Sequence, residues 1–262
     1  MMWRRMGCMG AVLAALLGGC GGGGDDPEAS ITDPVQRCSS IGTQPLVANG
    51  TACVPSASTP VLLLLVVDRN GEVGSCSGVK VAPGRVLTAA HCVDASARAV
   101  VGVLWDGQGN ATQVRAQSWV AHPAFSETPQ YFVNDVAVVS FADPLPSPAV
   151  PVMLSQSSGK GQAILLSGWG APDYVLSVGS ALIDEIRDDY LRITYDGTLS
   201  NACPGDSGGP ATRVIGGRQV VVGLVSAGTG GCNPGGRTFF SNLAKPQVSD
   251  FIRAQAAGAE LL

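Results

Sequence analysis

The chain is expected to be an all-β protein of two units, with a single helix at its C-terminus. Three observations carry that expectation. Short runs of Val, Leu and Ile recur along the 262 residues, while helical periodicity is scarce. Turn formers separate the runs, and glycine is abundant at 35 residues. Prolines 144, 146, 148 and 151 in "ADPLPSPAVPV" read as an extended connector between two stretches of similar length.

The elements follow in order. The N-terminus reads "MMWRRMGCMGAVLAALLGGC". Arg4 and Arg5 precede an apolar stretch at 9–17, which is too short to span a membrane and suits a signal peptide. Its ending, "LLGGC", resembles a bacterial lipobox, in which the cysteine takes a diacylglycerol. The expectation is a lipoprotein signal peptide over 1–19, a lipidated Cys20 and a flexible Gly-rich tether over 20–37. The protein would then be exported and held to a lipid membrane in a bacterial cell envelope. The alternative is an ordinary secretory signal cleaved elsewhere.

Eight cysteines agree with export. Without Cys8 and Cys20, six remain: Cys38, Cys53, Cys76, Cys92, Cys203 and Cys232. An even number in an exported chain suggests three disulfides. There is no CxxC pair with matching histidines, so neither a metal nor another cofactor is expected. The formal charge is −4 and no basic stripe appears, which argues against nucleic acid as a partner.

Residues 38–59 form an N-terminal segment with two cysteines among turn residues. "PVLLLLVVDRNGEVGSCSGVKV" reads as a strand, a turn and a second strand, and "GRVLTAAHCV" as a strand running into a helical turn. "AVVGVLW", "QVRAQSWVAHP" and "DVAVVSF" are further strands. After the connector come "QAILLSGWG", "EIRDDYLRITY", "QVVVGLVSAG" and "RTFFSNL". "KPQVSDFIRAQAAG" closes the chain as a helix, with Pro246 in its first turn.

The chemistry centres on "NACPGDSGGP" at 201–210. Gly, Asp, Ser and Pro are common turn formers, so a surface turn is one reading. The other is a nucleophile, Ser207, on a loop whose backbone N–H groups hold an anion. Two further residues bear on the choice. His91 lies at a strand end before Cys92, and a lone histidine is usually a satisfied polar group. Asp135 opens an apolar strand, where a carboxylate is costly unless paired. A serine nucleophile needs an adjacent base, and an imidazole needs a carboxylate to fix its tautomer. The three residue types together fit that mechanism.

"LTAAHC", "NDVAVV", "SGWG" and "GDSGGP", in this order, resemble the chymotrypsin/trypsin family of serine endopeptidases. The resemblance covers roughly residues 46–255. It implies two antiparallel six-stranded β-barrels, about 60–142 and 152–245, and a helix at about 246–256. The protease domain as a whole would run over 60–255. It also implies a catalytic triad of His91, Asp135 and Ser207, and an oxyanion hole from the backbone N–H groups of Gly205 and Ser207. Asn201, Ser226, Gly228 and Thr238 would form the substrate pocket. A neutral Asn201 disfavours cleavage after Lys or Arg, and the expected pocket takes a small or medium uncharged side chain. The resemblance pairs Cys76 with Cys92 and Cys203 with Cys232, which leaves Cys38 and Cys53 to each other.

Activation departs from the family pattern. Asp206 would receive a new N-terminal ammonium after cleavage, but "PLVANGTAC" has no basic residue directly before Leu46. Either a cut near Leu46 or Val47 frees a substitute terminus, held on by the Cys38–Cys53 bridge, or the chain stays uncut and Asp206 finds another partner. The expected protein is a monomeric serine endopeptidase acting on polypeptides. The alternative is a catalytically silent binding protein built on the same fold.

Overall fold

The computed structural model describes Cys38, Gln44–Pro45 and residues 52–106, 108–171 and 174–262. The expected signal peptide, the lipidation site Cys20, the tether and the cut near Leu46 or Val47 lie outside the described residues.

The chain is built from strands in two sheets. A short pair, β1 (Gln44–Pro45) and β2 (Cys53–Val54), precedes them. The first half holds β3 (Val61–Asp68), β4 (Val73–Ala82), β5 (Arg85–Thr88), β6 (Ala97–Trp105), β7 (Ala111–Arg115), β8 (Ser118–Ala121), the small pair β9 (Ser126–Glu127) and β10 (Phe132–Val133), and β11 (Ala137–Ser140). The second half holds β12 (Ala163–Gly168), β13 (Ser177–Leu182), β14 (Glu185–Ile186), β15 (Tyr190–Thr194), β16 (Pro210–Ile215), β17 (Arg218–Thr229) and β18 (Arg237–Asn242). The helix α1 (Pro246–Gln255) follows, with proline in its first turn where no intrahelical N–H is needed.

The expected closed six-stranded barrels are corrected here. Each sheet is an open, curled run of seven antiparallel strands: β7-β6-β3-β4-β5-β11-β8 and β13-β12-β16-β17-β18-β15-β14. In each, the two edge strands are neighbours in sequence. The segment "QVRAQSWVAHP" is not one strand but bends at Ala116–Gln117. Its first part pairs with β6 and its second with β11. β13 and β14 divide in the same way at Ile183–Asp184, one pairing β12 and the other β15. A bent strand serves both edges, so the ladder counts seven and its two rims meet through the chain rather than through hydrogen bonds.

"EIRDDYLRITY" is likewise two strands. Arg187 N–H donates to Tyr190 O at 2.8 Å, which closes a tight turn over Asp188 and Asp189. Two aspartates in a row favour a turn over a ladder.

Each half encloses its own core. Leu62, Leu64, Val86, Val100 and Phe141 fill the first, and Ile164, Leu166, Leu191, Ile193 and Phe240 the second. A third cluster joins the halves: Val79, Leu87 and Val138 meet Val221, Leu224 and the Val248, Phe251 and Ile252 face of α1. Burying these aliphatic and aromatic side chains contributes roughly 1.5–3 kcal/mol each. The amphipathic helix thus packs against strands of both sheets.

The connector is fixed by a buried amine. Lys80 in β4 is 5% exposed, and its Nζ donates to Leu145 O at 2.6 Å and to Ser147 O. Burial pushes the Lys80 amine below its ordinary value.

Candidate active site

Asp135 has no solvent exposure. It lies two residues before β11 rather than opening it, because Asn134 takes a left-handed φ of 54° and turns the chain. An isolated carboxylate there would be costly. Three donors offset that. His91 N–H reaches Oδ1 at 2.9 Å, while His91 Nδ1 at 2.8 Å and Ser226 Oγ at 2.6 Å converge on Oδ2. Ser241 Oγ holds the Asp135 carbonyl at 2.8 Å. A carboxylate accepting from Nδ1 leaves Nε2 of a neutral imidazole as the acceptor.

Local structure aims both partners. His91 sits in a short 3-10 turn, Ala90–Cys92, directly after β5. The disulfide Cys76–Cys92 ties that turn to β4, with the two Cα atoms 6.3 Å apart. The Phe132 ring stands 5.2 Å from the imidazole, centroid to centroid. Ser226 occupies the point where the β17–β18 register shifts between Val225 and Ala227. A bulge re-aims a side chain, and here it turns the hydroxyl toward Asp135.

Ser207 rides on a tight loop between Cys203 and Gly209. Asp206 N–H donates to Cys203 O at 3.0 Å, and Gly209 N–H donates to Asp206 O at 2.8 Å. The disulfide Cys203–Cys232 anchors its start, and Cys38–Cys53 joins the N-terminal segment. Gly205 has φ +98°, a conformation L side chains rarely adopt. A Cβ on Gly208 would collide with Thr88 Oγ1 and Ser77 O of the first half. The glycines therefore let the loop approach β4 and β5. Among the described residues, the N–H groups of Gly205 and Ser207 donate to no acceptor. No hydrogen bond joins Ser207 Oγ to His91 Nε2 there; Nε2 lies 3.8 Å from Cys92 Sγ.

Asp206 is 8% exposed and folds against the Gly168–Gly170 stretch. Burial pushes its carboxyl up to about 6, opposed by the N–H groups of Cys203, at 2.9 Å, and Gly170. Among the described residues it has no ion pair.

Beside Ser207 lies a cavity of about 160 Å³, walled by Pro204, Val225, Ala227, Gly228 and Thr238 among others. Ser226 and Ser207 line it too, but Asn201 does not. Asn201 is turned into its own network: Nδ2 donates to Gly231 O at 3.1 Å, and Oδ1 accepts from Thr238 Oγ1 at 2.6 Å. Thr238 Oγ1 also accepts Ala202 N–H at 3.3 Å. The polar atoms at this end of the cavity are thus paired with one another.

The ligand atoms of Cys76, His91 and Cys92 lie within 4.8 Å of one another, but the two sulfurs are bonded together and offer no thiolate to a metal. The structure adds Ser77, Thr88, Phe132 and Ser241 to the site. Thr88 lies within "LTAAHC" but has no role of its own in that motif, and the other three belong to no motif; all four arrive through strand register.

The comparisons agree with this architecture. The Trypsin family model matches residues 48–252. Serine protease 56 of Mus musculus is 31% identical over 216 residues, 71% of this chain and 35% of that protein. Brachyurin of Leptuca pugilator is 28% identical over 235 residues, 80% of this chain and 98% of that protein. The solved structure of HL collagenase superposes with a TM-score of 0.64 at 22% identity, over 80% of this chain and 98% of that one, and so shares the fold. The chain spans less than half the length of the first curated relatives it matches, the mouse and human forms of serine protease 56. With three disulfides among the described residues fitting an oxidising compartment, two curled sheets and a family match over most of its length, the chain belongs to the trypsin family of serine proteases.

Proposed function

We propose that this chain is a serine endopeptidase working through an acyl-enzyme. Ser207 is the nucleophile, His91 the general base, Asp135 its orienting acid, and the Gly205 and Ser207 N–H groups the oxyanion hole. The observation that carries this reading is the fully buried Asp135 carboxylate, which accepts both His91 N–H groups and Ser226 Oγ. The base transfers the serine proton to the leaving amine, and the two amides stabilise charge on the carbonyl oxygen. The open Ser207–His91 pair suits an apo site, since such bonds often tighten only with substrate present. The same open pair is the observation behind a second reading, an inert binding protein.

The test is the intact mass of the purified protein after a fluorophosphonate. A single adduct mapped to Ser207 is expected; an unmodified protein, cut or uncut, would sink the reading. The residue before the scissile bond is proposed to be uncharged and of small to medium size. Thr238 and Asn201 answer each other, so a charged side chain would meet no free counter-charge. A peptide library cleaved mainly after Lys or Arg would contradict this.

The protease unit is proposed to be 60–255, monomeric, and tethered to a membrane through an acylated Cys20 after loss of residues 1–19. The sequence "LLGGC" and the glycine run behind it support that; the matched relatives add nothing to it. Mass spectrometry of the mature N-terminus decides it, an unmodified Cys20 being the contrary result.

Activation is proposed to proceed by a cut near Leu46 or Val47, whose new ammonium pairs with Asp206. A pH prediction follows. The carboxyl is raised to about 6 in the folded chain, well above the ordinary value of an aspartate, about 4. Its contribution is therefore fully present below about pH 4 and lost as pH rises through 6, by about 3 kcal/mol. An inserted ammonium would remove that loss. Melting curves from pH 4 to 8 should show a steeper fall in Tm for the uncut form than for protein cleaved between Cys38 and Cys53. Parallel profiles would count against the ion pair.

A further inference from the structure

Ser77 is fully buried in β4, in the first half, yet three of its hydrogen bonds run to the second. Its Oγ accepts Trp169 N–H at 2.9 Å and donates to Gly205 O at 2.9 Å. Its own N–H donates to Ser207 O at 2.7 Å. Its carbonyl accepts Thr88 Oγ1 at 2.7 Å, which braces it from β5.

The two carbonyls that Ser77 holds belong to the peptide planes on either side of the Asp206–Ser207 peptide. That middle plane carries the Ser207 N–H. Gly205, with no Cβ and a φ of +98°, has little of its own to fix its orientation. A flexible residue needs an external brace if its N–H is to be preorganised. From this geometry we infer that Ser77 is a positioning residue for the anion-binding amides of Gly205 and Ser207, bracing them from the opposite half of the molecule. The inference rests on the serine-endopeptidase reading. Ser77 touches no reacting atom.

The hydroxyl, rather than simple filling of space, is what the site requires. Ser77→Ala would leave a buried Gly205 C=O and a buried Trp169 N–H without partners. Ser77→Gly leaves room beside the same two groups, where a water could bridge them.

The experiment compares both variants with wild type, each corrected for active sites titrated with a fluorophosphonate. Ser77→Ala is expected to lose about 10- to 100-fold in kcat with KM within about twofold, less than loss of an oxyanion donor itself. A peptide aldehyde, which forms an oxyanion on binding, should weaken by a similar factor. The corresponding peptide carboxamide, which forms none, should bind as before. Ser77→Gly is expected to recover part of kcat even if its Tm falls further. A purely structural serine would lower Tm and the titrated fraction but leave kcat per site unchanged.

Values of kcat per titrated site within twofold of wild type in the variants that fold, or equal weakening of aldehyde and carboxamide, would overturn the inference. If Ser77→Ala does not fold, Ser77→Gly decides alone, with a loss of about 3- to 10-fold expected, confined to kcat and aldehyde affinity. Wild-type protein that takes no fluorophosphonate adduct would remove the endopeptidase reading and this inference together. Labelled wild type with unaffected variants would remove this inference only.

Discussion

Replacing Ser207 by alanine is expected to lower peptide hydrolysis by about 10⁶-fold, and replacing His91 by alanine to do nearly the same. The double variant should be no worse than either single one. The reason lies in how the two side chains work. A serine hydroxyl is a weak nucleophile until a base takes its proton, and the imidazole's later transfers, to the leaving amine and from the deacylating water, all depend on the acyl-enzyme that this first step forms. Removing either member therefore removes one shared step, and the losses do not add. What remains is catalysis by the amides and by substrate binding, which both variants keep. Ser207→Ala should cost little stability, because Ser207 is only half-buried, whereas His91→Ala takes one of three donors from the buried Asp135 carboxylate and should lower Tm more. Steady-state kinetics on a chromogenic peptide, with Tm measured beside it, checks the prediction. Losses that multiply in the double variant would mean that the two residues act independently, and would break the proposed mechanism.

The motifs in the sequence single out His91 and Asp135, which the structure joins by hydrogen bonds, and the reason is physical. "LTAAHC" and "GDSGGP" hold residues whose backbone must do something unusual. Gly208 is one: any Cβ there would strike Thr88 and Ser77. Such constraints show in a single chain because few residues satisfy them. Strands were readable where apolar runs are dense, as in "VLLLLVV" and "QVVVGLV". They were not readable in Ser177–Leu182 or Pro210–Ile215, where small and polar residues sit in a buried ladder. There the neighbours decide the structure, not local propensity. The bend at Ala116–Gln117 was hidden for a related reason. A strand that changes partners keeps its β character on both sides, so nothing local marks the break.

The pocket shows the opposite limit. The family resemblance puts Asn201 in the pocket, and the structure shows its amide hydrogen-bonded to Thr238 and Gly231, two residues of the cavity wall, without lining the cavity itself. Only the side-chain network reveals this. Ser77 is similar. A serine after a cysteine in a strand looks ordinary, and its significance comes from the residues of the other half that it bonds directly.

Asp135→Asn is the second large effect expected, a loss of about 10⁴-fold in kcat. Three donors meet the two oxygens of this buried carboxylate. An amide offers one oxygen and one NH₂ group, so it cannot accept all three. If the oxygen stays with His91 N–H, the NH₂ faces His91 Nδ1. The imidazole must then accept at Nδ1 and carry its proton on Nε2, which is the wrong tautomer for a base. Ser226 Oγ, now opposite a donor, can rotate to accept, so the fold need not suffer. The loss should therefore fall on kcat, with KM and Tm little changed, and the rate of fluorophosphonate labelling should drop with it. Asp135→Ala is a different experiment. It would also leave the His91 and Ser226 donors without an acceptor in a dry site, and so should lose roughly 1–3 kcal/mol of stability as well. An Asp135→Asn protein that keeps more than a tenth of wild-type kcat would show that the carboxylate does not set the tautomer. His91 would then be oriented by packing against Phe132 and the Cys76–Cys92 bridge alone.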